Sequence, residues 1–185
     1  MSKILAEIHN DHRNYSQLLE LIRIDIDKLV DSASPDYIRL YDIMNYMTNY
    51  PDLAHHPIEE IIFTEIARMQ PALDETVKQL NREHKQLASI GHALKESLQC
   101  VTSGSIVSRK SLIDSANDYH QLLTNHMNTE ESKILPAIAT AFDENDWSIL
   151  EAQIIVLKDS LFADVIQEQF SDLYERITLS KKDVA

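Results

Sequence analysis

The sequence predicts an all-α protein: an up-down-up-down four-helix bundle with an additional C-terminal helical segment. Three observations carry that expectation. The 185 residues include only two glycines, and no stretch shows the strict alternation of a half-buried strand. Apolar residues instead recur at steps of three and four, the spacing of one helical face. Breaks marked by proline, serine, glycine and acidic residues divide the chain into four such stretches and a fifth at the C-terminus.

The first helix is expected over residues 2–30, where Leu5, Ile8, His12, Tyr15, Leu19, Ile22 and Ile26 form one stripe. Ser34-Pro35 reads as an N-cap followed by proline at the first helical position. A second helix over residues 36–50 carries Ile38, Tyr41, Met44 and Met47, is interrupted by Pro51 and Pro57, and resumes over residues 59–69. A third follows Pro71 and runs to about residue 99, ahead of a polar loop at 101–108. The fourth covers residues 111–141, bent at Pro136. Asp143 to Asp146 supply cap residues for a last segment over residues 147–178, broken near Asp159-Ser160. The expected organisation is a bundle over residues 1–142 and an extension over 143–185 packed on it, a single domain overall.

Composition narrows the function. A net charge of −13 argues against nucleic acid or an anionic membrane as partner. No run approaches a membrane span, and the N-terminus leads into an amphipathic helix rather than a signal peptide. The single cysteine, Cys100, precludes an intramolecular disulfide and fits a reducing compartment, so a cytoplasmic location is expected.

Two segments repeat one chemical arrangement: His55-His56-Pro57-Ile58-Glu59-Glu60 and His126-Met127-Asn128-Thr129-Glu130-Glu131. Each offers an imidazole and a carboxylate four residues apart, hence on one helical face. The first segment permits either His55 with Glu59 or His56 with Glu60. Helical phase favours His55 and Glu59, which share a face with Ile62, Phe63 and Ile66, whereas Pro57 could bring His56 into play. In the second segment His126 and Glu130 align with Tyr119, Leu122, Leu123, Ile134 and Ala137, and Glu131 falls toward the edge. His12 and His84 occupy core positions of the first and third helices. A lone inward histidine is explained by a core hydrogen bond, but a buried carboxylate needs a cation, and neither stripe supplies lysine or arginine. Four histidines and two glutamates converging from four helices describe a site for two metal ions. Tyr15 and Tyr119 share faces with His12 and His126, placing each to fill core space beside the site or to hydrogen-bond a ligand there.

At these residues the chain resembles the hemerythrin-like, or HHE cation-binding, family over about residues 3–141, through Asn-Asp-His12, His55-His56-Pro57-Ile58-Glu59-Glu60, Glu83-His84 and His126 to Pro136. The resemblance implies a non-haem di-iron site of two iron ions with a bridging oxo or hydroxo group, held by His12, His55, Glu59, His84, His126 and Glu130, with both glutamates bridging. Other divalent metals could substitute. Oxygen-carrying members place a further histidine where this chain has Ala88, and an aspartate at the spacing of Glu131. Six protein ligands leave more open positions, which weighs against reversible oxygen carriage. Binding or sensing of O2, NO or a peroxide is the expectation; the alternative is iron–sulfur cluster repair, iron donation, or reduction of NO or peroxide under nitrosative or oxidative stress. Ferritin-like bundles, with Glu-x-x-His motifs and four carboxylates, fit less well. Whether the chain is an enzyme stays open. The C-terminal helices could cap the bundle or form a homodimer.

Overall fold

In a computed structural model the described residues are 2–160 together with Leu173, Tyr174 and Ile177. All regular structure among them is helical. The elements are α1 (Lys3–Val30), α2 (Tyr37–Met47), α3 (His56–Met69), α4 (Asp74–Thr102), α5 (Arg109–Thr129), α6 (Leu135–Ala141) and α7 (Glu144–Ser160). A π-helical turn, Pro51–His55, leads into α3, and another, Glu130–Ile134, joins α5 to α6. The bundle therefore has four rods: α1, α2 with α3, α4, and α5 with α6. α1 packs on α2 and α5, and α4 packs on α2, α3 and α5, so the rods close into a square.

Local chemistry explains the boundaries. Ser2 caps α1, its hydroxyl accepting from the Ile4 amide at 3.2 Å. α2 is capped by Asp36 rather than Ser34, because the Asp36 carboxylate accepts from the Arg39 amide at 2.9 Å. That register corrects the expected stripe: Ile38 is 69% exposed, and Leu40, Ile43, Met44 and Met47 face inward. A short 3₁₀ turn, Pro71–Leu73, precedes α4, and a loop at residues 103–108 separates α4 from α5.

Both π-helical turns lie just ahead of a proline. A proline ring inside a helix clashes with the carbonyl four residues earlier, which is Leu53 for Pro57 and Ser132 for Pro136. Each widened turn contains that carbonyl and is closed by an i to i−5 bond, from His56 N to Pro51 O and from Leu135 N to Glu130 O. The extra residue re-phases the helix beyond it, so Ile134, Leu135 and Ile138 are buried where Ile134 and Ala137 are expected.

The core is divided in two. One apolar cluster contains Tyr15 to Leu29, α2, Leu87 to Leu98 and Leu112 to Met127, joined by Leu173 and Ile177. The other contains Ile4 to Ile8, Ile58 to Ile66, Val77, Leu80, Ile134 to Phe142, and Leu150 and Ile154 of α7. Between them lies one polar layer, since on every rod the histidines and glutamates fall between the two apolar sets. α7 thus covers one end beside α3, as a C-terminal helix on the bundle should. Residues 161–172 of the expected last segment lie outside the described residues.

Asp25 and Arg39 form a buried ion pair that ties α1 to α2. The guanidinium donates through Nε (3.1 Å) and Nη2 (2.5 Å) to Asp25 Oδ2, and Lys28 Nζ reaches Oδ1 at 3.2 Å. Truncation strands a carboxylate in the core, so Arg39→Ala should destabilise the metal-free chain by about 3–5 kcal/mol in urea denaturation. The exposed Arg68→Ala should leave the midpoint nearly unchanged.

Candidate metal centre

The polar layer gathers residues from all four rods. Glu59 and Glu130 are each 0% exposed, and His12, His55, His84 and His126 are buried around them. Their charged partners within 4 Å, among the described residues, are histidines alone.

The two carboxylates divide their oxygens between two pairs of rings. Glu59 Oε1 faces His55 Nε2 at 3.1 Å and His12 Nε2 at 3.5 Å, and its Oε2 faces His84 Nε2 at 3.4 Å. Glu130 Oε1 faces His126 Nε2 at 3.0 Å and His84 Nε2 at 3.7 Å, and its Oε2 faces His12 Nε2 at 3.4 Å. Two points result, one among His12, His55 and Glu59, the other among Glu59, His84, His126 and Glu130. Among the described residues none of the four carboxylate oxygens has a hydrogen-bond partner, and neither do the Nε2 atoms of His12, His84 and His126. These atoms crowd together with their lone pairs converging on shared points. A buried set so arranged suits cations, and its composition, imidazole with carboxylate, suits a first-row transition metal.

The second ring nitrogens are anchored by carboxylates. His12 Nδ1 donates to Glu131 at 2.7 Å, His55 Nδ1 to Asp11 at 3.1 Å and His126 Nδ1 to Glu83 at 2.9 Å. Such partners fix the ring and leave Nε2 as the donor to metal. Asp11 and Glu83 each precede a core histidine in sequence, and each anchors a ring on a neighbouring rod. His84 differs, because its Nδ1 has no hydrogen-bond partner among the described residues.

The less favoured candidates are elsewhere. His56 is buried, but its Nδ1 is held by Asp52 at 3.0 Å and its ring stacks on His84 at 4.0 Å, outside both convergent groups. Glu60 is exposed. Glu131 binds the rear of His12 and also His9, at 2.9 Å, instead of facing the centre. Tyr119 donates to the Met47 carbonyl at 3.4 Å, so of these two tyrosines Tyr15 alone keeps a hydroxyl with no hydrogen-bond partner among the described residues. A cleft of about 1020 Å³ between α1 and α5 opens onto His12 and Glu131.

Without metal the layer is an ionic network. Burial alone would lower His12 and His84. The carboxylates beside each ring, Glu131 and Glu59 for the first and Glu130 and Glu59 for the second, outweigh it and raise both to about 9. For His55 the opposing Glu59 charge and the Asp11 bond do the same, to about 10. Burial would raise Glu59 and Glu130, but their histidines hold both below the usual carboxylate range. His56 is the exception, lowered to about 4 chiefly by burial.

This architecture, a helical bundle whose middle layer is a histidine–carboxylate set, defines a non-haem metal-binding protein. The family described as Hemerythrin HHE cation binding domain matches residues 3–138, and the chain belongs to it. No curated relative and no solved structure matches the chain.

Raised histidines stabilise the fold fully below their unfolded value of 6.5, and that contribution fades as pH climbs through about 9 to 10. The depressed glutamates act oppositely, losing theirs as pH falls below 4.5. The metal-free chain should therefore melt highest between those limits and lower at pH 9.5. At pH 7.5 metal uptake should expel about three protons, from His12, His55 and His84, measurable by calorimetry in buffers of different ionisation enthalpy.

Proposed function

We propose that the protein is a non-haem di-iron protein that binds or senses O2, NO or a peroxide. The observation that carries this reading is the division of Glu59 and Glu130 oxygens between two histidine pairs, the geometry by which one carboxylate bridges two ions. His12 and His55 would hold one iron, His84 and His126 the other, and the two glutamates would span them. Iron follows from imidazole and carboxylate donors and from membership of a hemerythrin family. A pair of bridged irons supplies open positions for a small ligand and shares electrons between the metals.

The protein's own contribution is orientation and enclosure. Asp11, Glu83 and Glu131 hold three rings in the tautomer that presents Nε2. The apolar clusters above and below exclude bulk water, which strengthens every charge interaction in the layer. The cleft beside His12 gives a small molecule a path toward the His12 side. Residues 1–142 form the metal-binding unit in this reading, and 143–185 an extension that covers it. Binding of a diatomic or peroxide is favoured over iron donation because every ligand is buried and three of the four histidines are braced by carboxylates.

Anaerobic loading with iron(II) should give two irons per chain, and exposure to O2 should produce a visible absorption band that re-reduction removes. Glu59→Gln, which keeps the shape but removes the charge, should lower the iron content to one or none and abolish the band. Full loading in Glu59→Gln would overturn the proposal.

A further inference from the structure

Four tyrosines form an unbroken series of ring contacts leading away from the His55 side of the centre. Tyr15 meets His55 edge-on, with centroids 5.2 Å apart. Tyr46 lies 6.4 Å beyond Tyr15, stacks on Tyr50 at 5.3 Å and contacts Tyr174 at 5.7 Å. Tyr174 is partly exposed and donates to Gln17 Oε1 at 3.3 Å. The series runs from the polar layer to the surface.

Packing alone does not account for it. The Tyr15 hydroxyl is fully buried and lacks a hydrogen-bond partner among the described residues. Such a group costs about 1–3 kcal/mol, which a phenylalanine of the same shape avoids. The surroundings suit a phenol that loses an electron. Asp11, the carboxylate that anchors His55, bears on Tyr15, Tyr46 and Tyr50 and hydrogen-bonds Tyr50. An oxidised phenol must release its proton, and Asp11, the carboxylate whose charge bears most on Tyr15, is the acceptor proposed for it, beyond direct hydrogen-bond reach of the hydroxyl. No comparable series of rings leads from His84 or His126: among the described residues those two meet only each other and His56.

We propose that Tyr15, Tyr46, Tyr50 and Tyr174 are a redox relay that carries single electrons from a reductant at the surface to an oxidant consumed at the metal centre. The relay rests on the di-iron reading of that centre. With hydrogen peroxide as oxidant, each molecule takes two electrons and two protons and becomes two waters. One ascorbate monoanion supplies both electrons and one proton, ending as dehydroascorbate, and solvent supplies the other proton. In each single-electron step Tyr15 gives up an electron while its phenol proton shifts toward Asp11. Tyr46 refills Tyr15, and Tyr50 or Tyr174 refills Tyr46. The reductant refills the outermost ring, and the shifted proton returns.

The test uses the full chain loaded anaerobically with iron(II), mixed with excess hydrogen peroxide, so that oxidant remains after the first equivalent has taken its two electrons from the irons, and frozen at intervals for electron paramagnetic resonance. Iron content is measured for every variant, and spin-trap adducts are mapped by mass spectrometry. The unaltered chain should give a tyrosyl radical that ascorbate quenches, with adducts on the four relay tyrosines. Tyr46→Phe should confine the radical to Tyr15 and slow its quenching several-fold; Tyr15→Phe should remove it. A chain that takes up no iron overturns the di-iron reading and the relay together. Iron-loaded protein that gives no tyrosyl radical, gives adducts on Tyr119 or Trp147 instead, or behaves identically in both variants overturns the relay alone.

Discussion

Two carboxylates buried in one layer of the bundle are the constraint on which the rest of the structure depends. Glu59 and Glu130 have no exposure, lie between two apolar clusters and receive no hydrogen bond among the described residues. An ionised carboxylate without compensation is among the costliest groups to bury. Here compensation comes from four imidazoles, one from each rod, which explains why the bundle closes as a square. In the metal-free chain His12, His55 and His84, raised by the neighbouring carboxylates, hold protons at neutral pH and serve as counter-ions; with metal bound they would be neutral donors. The same six side chains therefore hold the fold together in both states, by different chemistry.

The π-helical turns give the rods the shape this layer needs. Each lies at one end of a histidine–glutamate pair: the first ends at His55, the second begins at Glu130. A regular helix continuing through either proline would lose a hydrogen bond and clash with a carbonyl. A single wide turn absorbs the clash and rotates the next segment, which lets Leu135 and Ile138 reach the lower cluster while His126 and Glu130 keep to the centre. The prolines thus help aim the site residues, beyond interrupting the helices that carry them. Close packing supports the same region, since Gly91 brings α4 so near α2 and α5 that a Cβ there would lie 2.9 Å from Thr48 Cγ2 and 3.0 Å from Tyr119 Cε2.

Legibility in the sequence depends on locality. The four rods and the six converging residues follow from steps of three and four within single stretches, so phase alone places His55, Glu59, His126 and Glu130 inward. The same phase fails at Ala137 in the C-terminal part of the fourth rod, because Pro136 marks an added residue in a turn rather than a simple bend. It fails at Ile38 because the true cap is Asp36. The anchoring carboxylates leave a trace in Asp11-His12 and Glu83-His84, but each anchors a ring on another rod, a pairing that no spacing encodes. The Asp25–Arg39 pair and the run of tyrosines are long-range for the same reason.

The anchoring is uneven, and the unevenness separates the two halves of the centre. His12 and His55, on one side, both have a carboxylate behind them, and so does His126 on the other. His84 is held instead by a ring stacked at 4.0 Å and 15°, that of His56. His56 can fill this place because burial keeps it uncharged while Asp52 fixes its orientation, so a second positive ring does not press against the layer. A carboxylate behind an imidazole raises its basicity and locks its tautomer; a stacked neutral ring does neither. Were the layer to hold two metals as proposed, the His84 side would be the weaker donor set and the freer to adjust. The half-site of His12 and His55 is the braced one, and it is also the one that meets the cleft and the tyrosines. Anchored rings, a cleft and a chain of aromatic rings coincide on one side of the layer, which under the proposed function is the side where a small molecule would meet the protein.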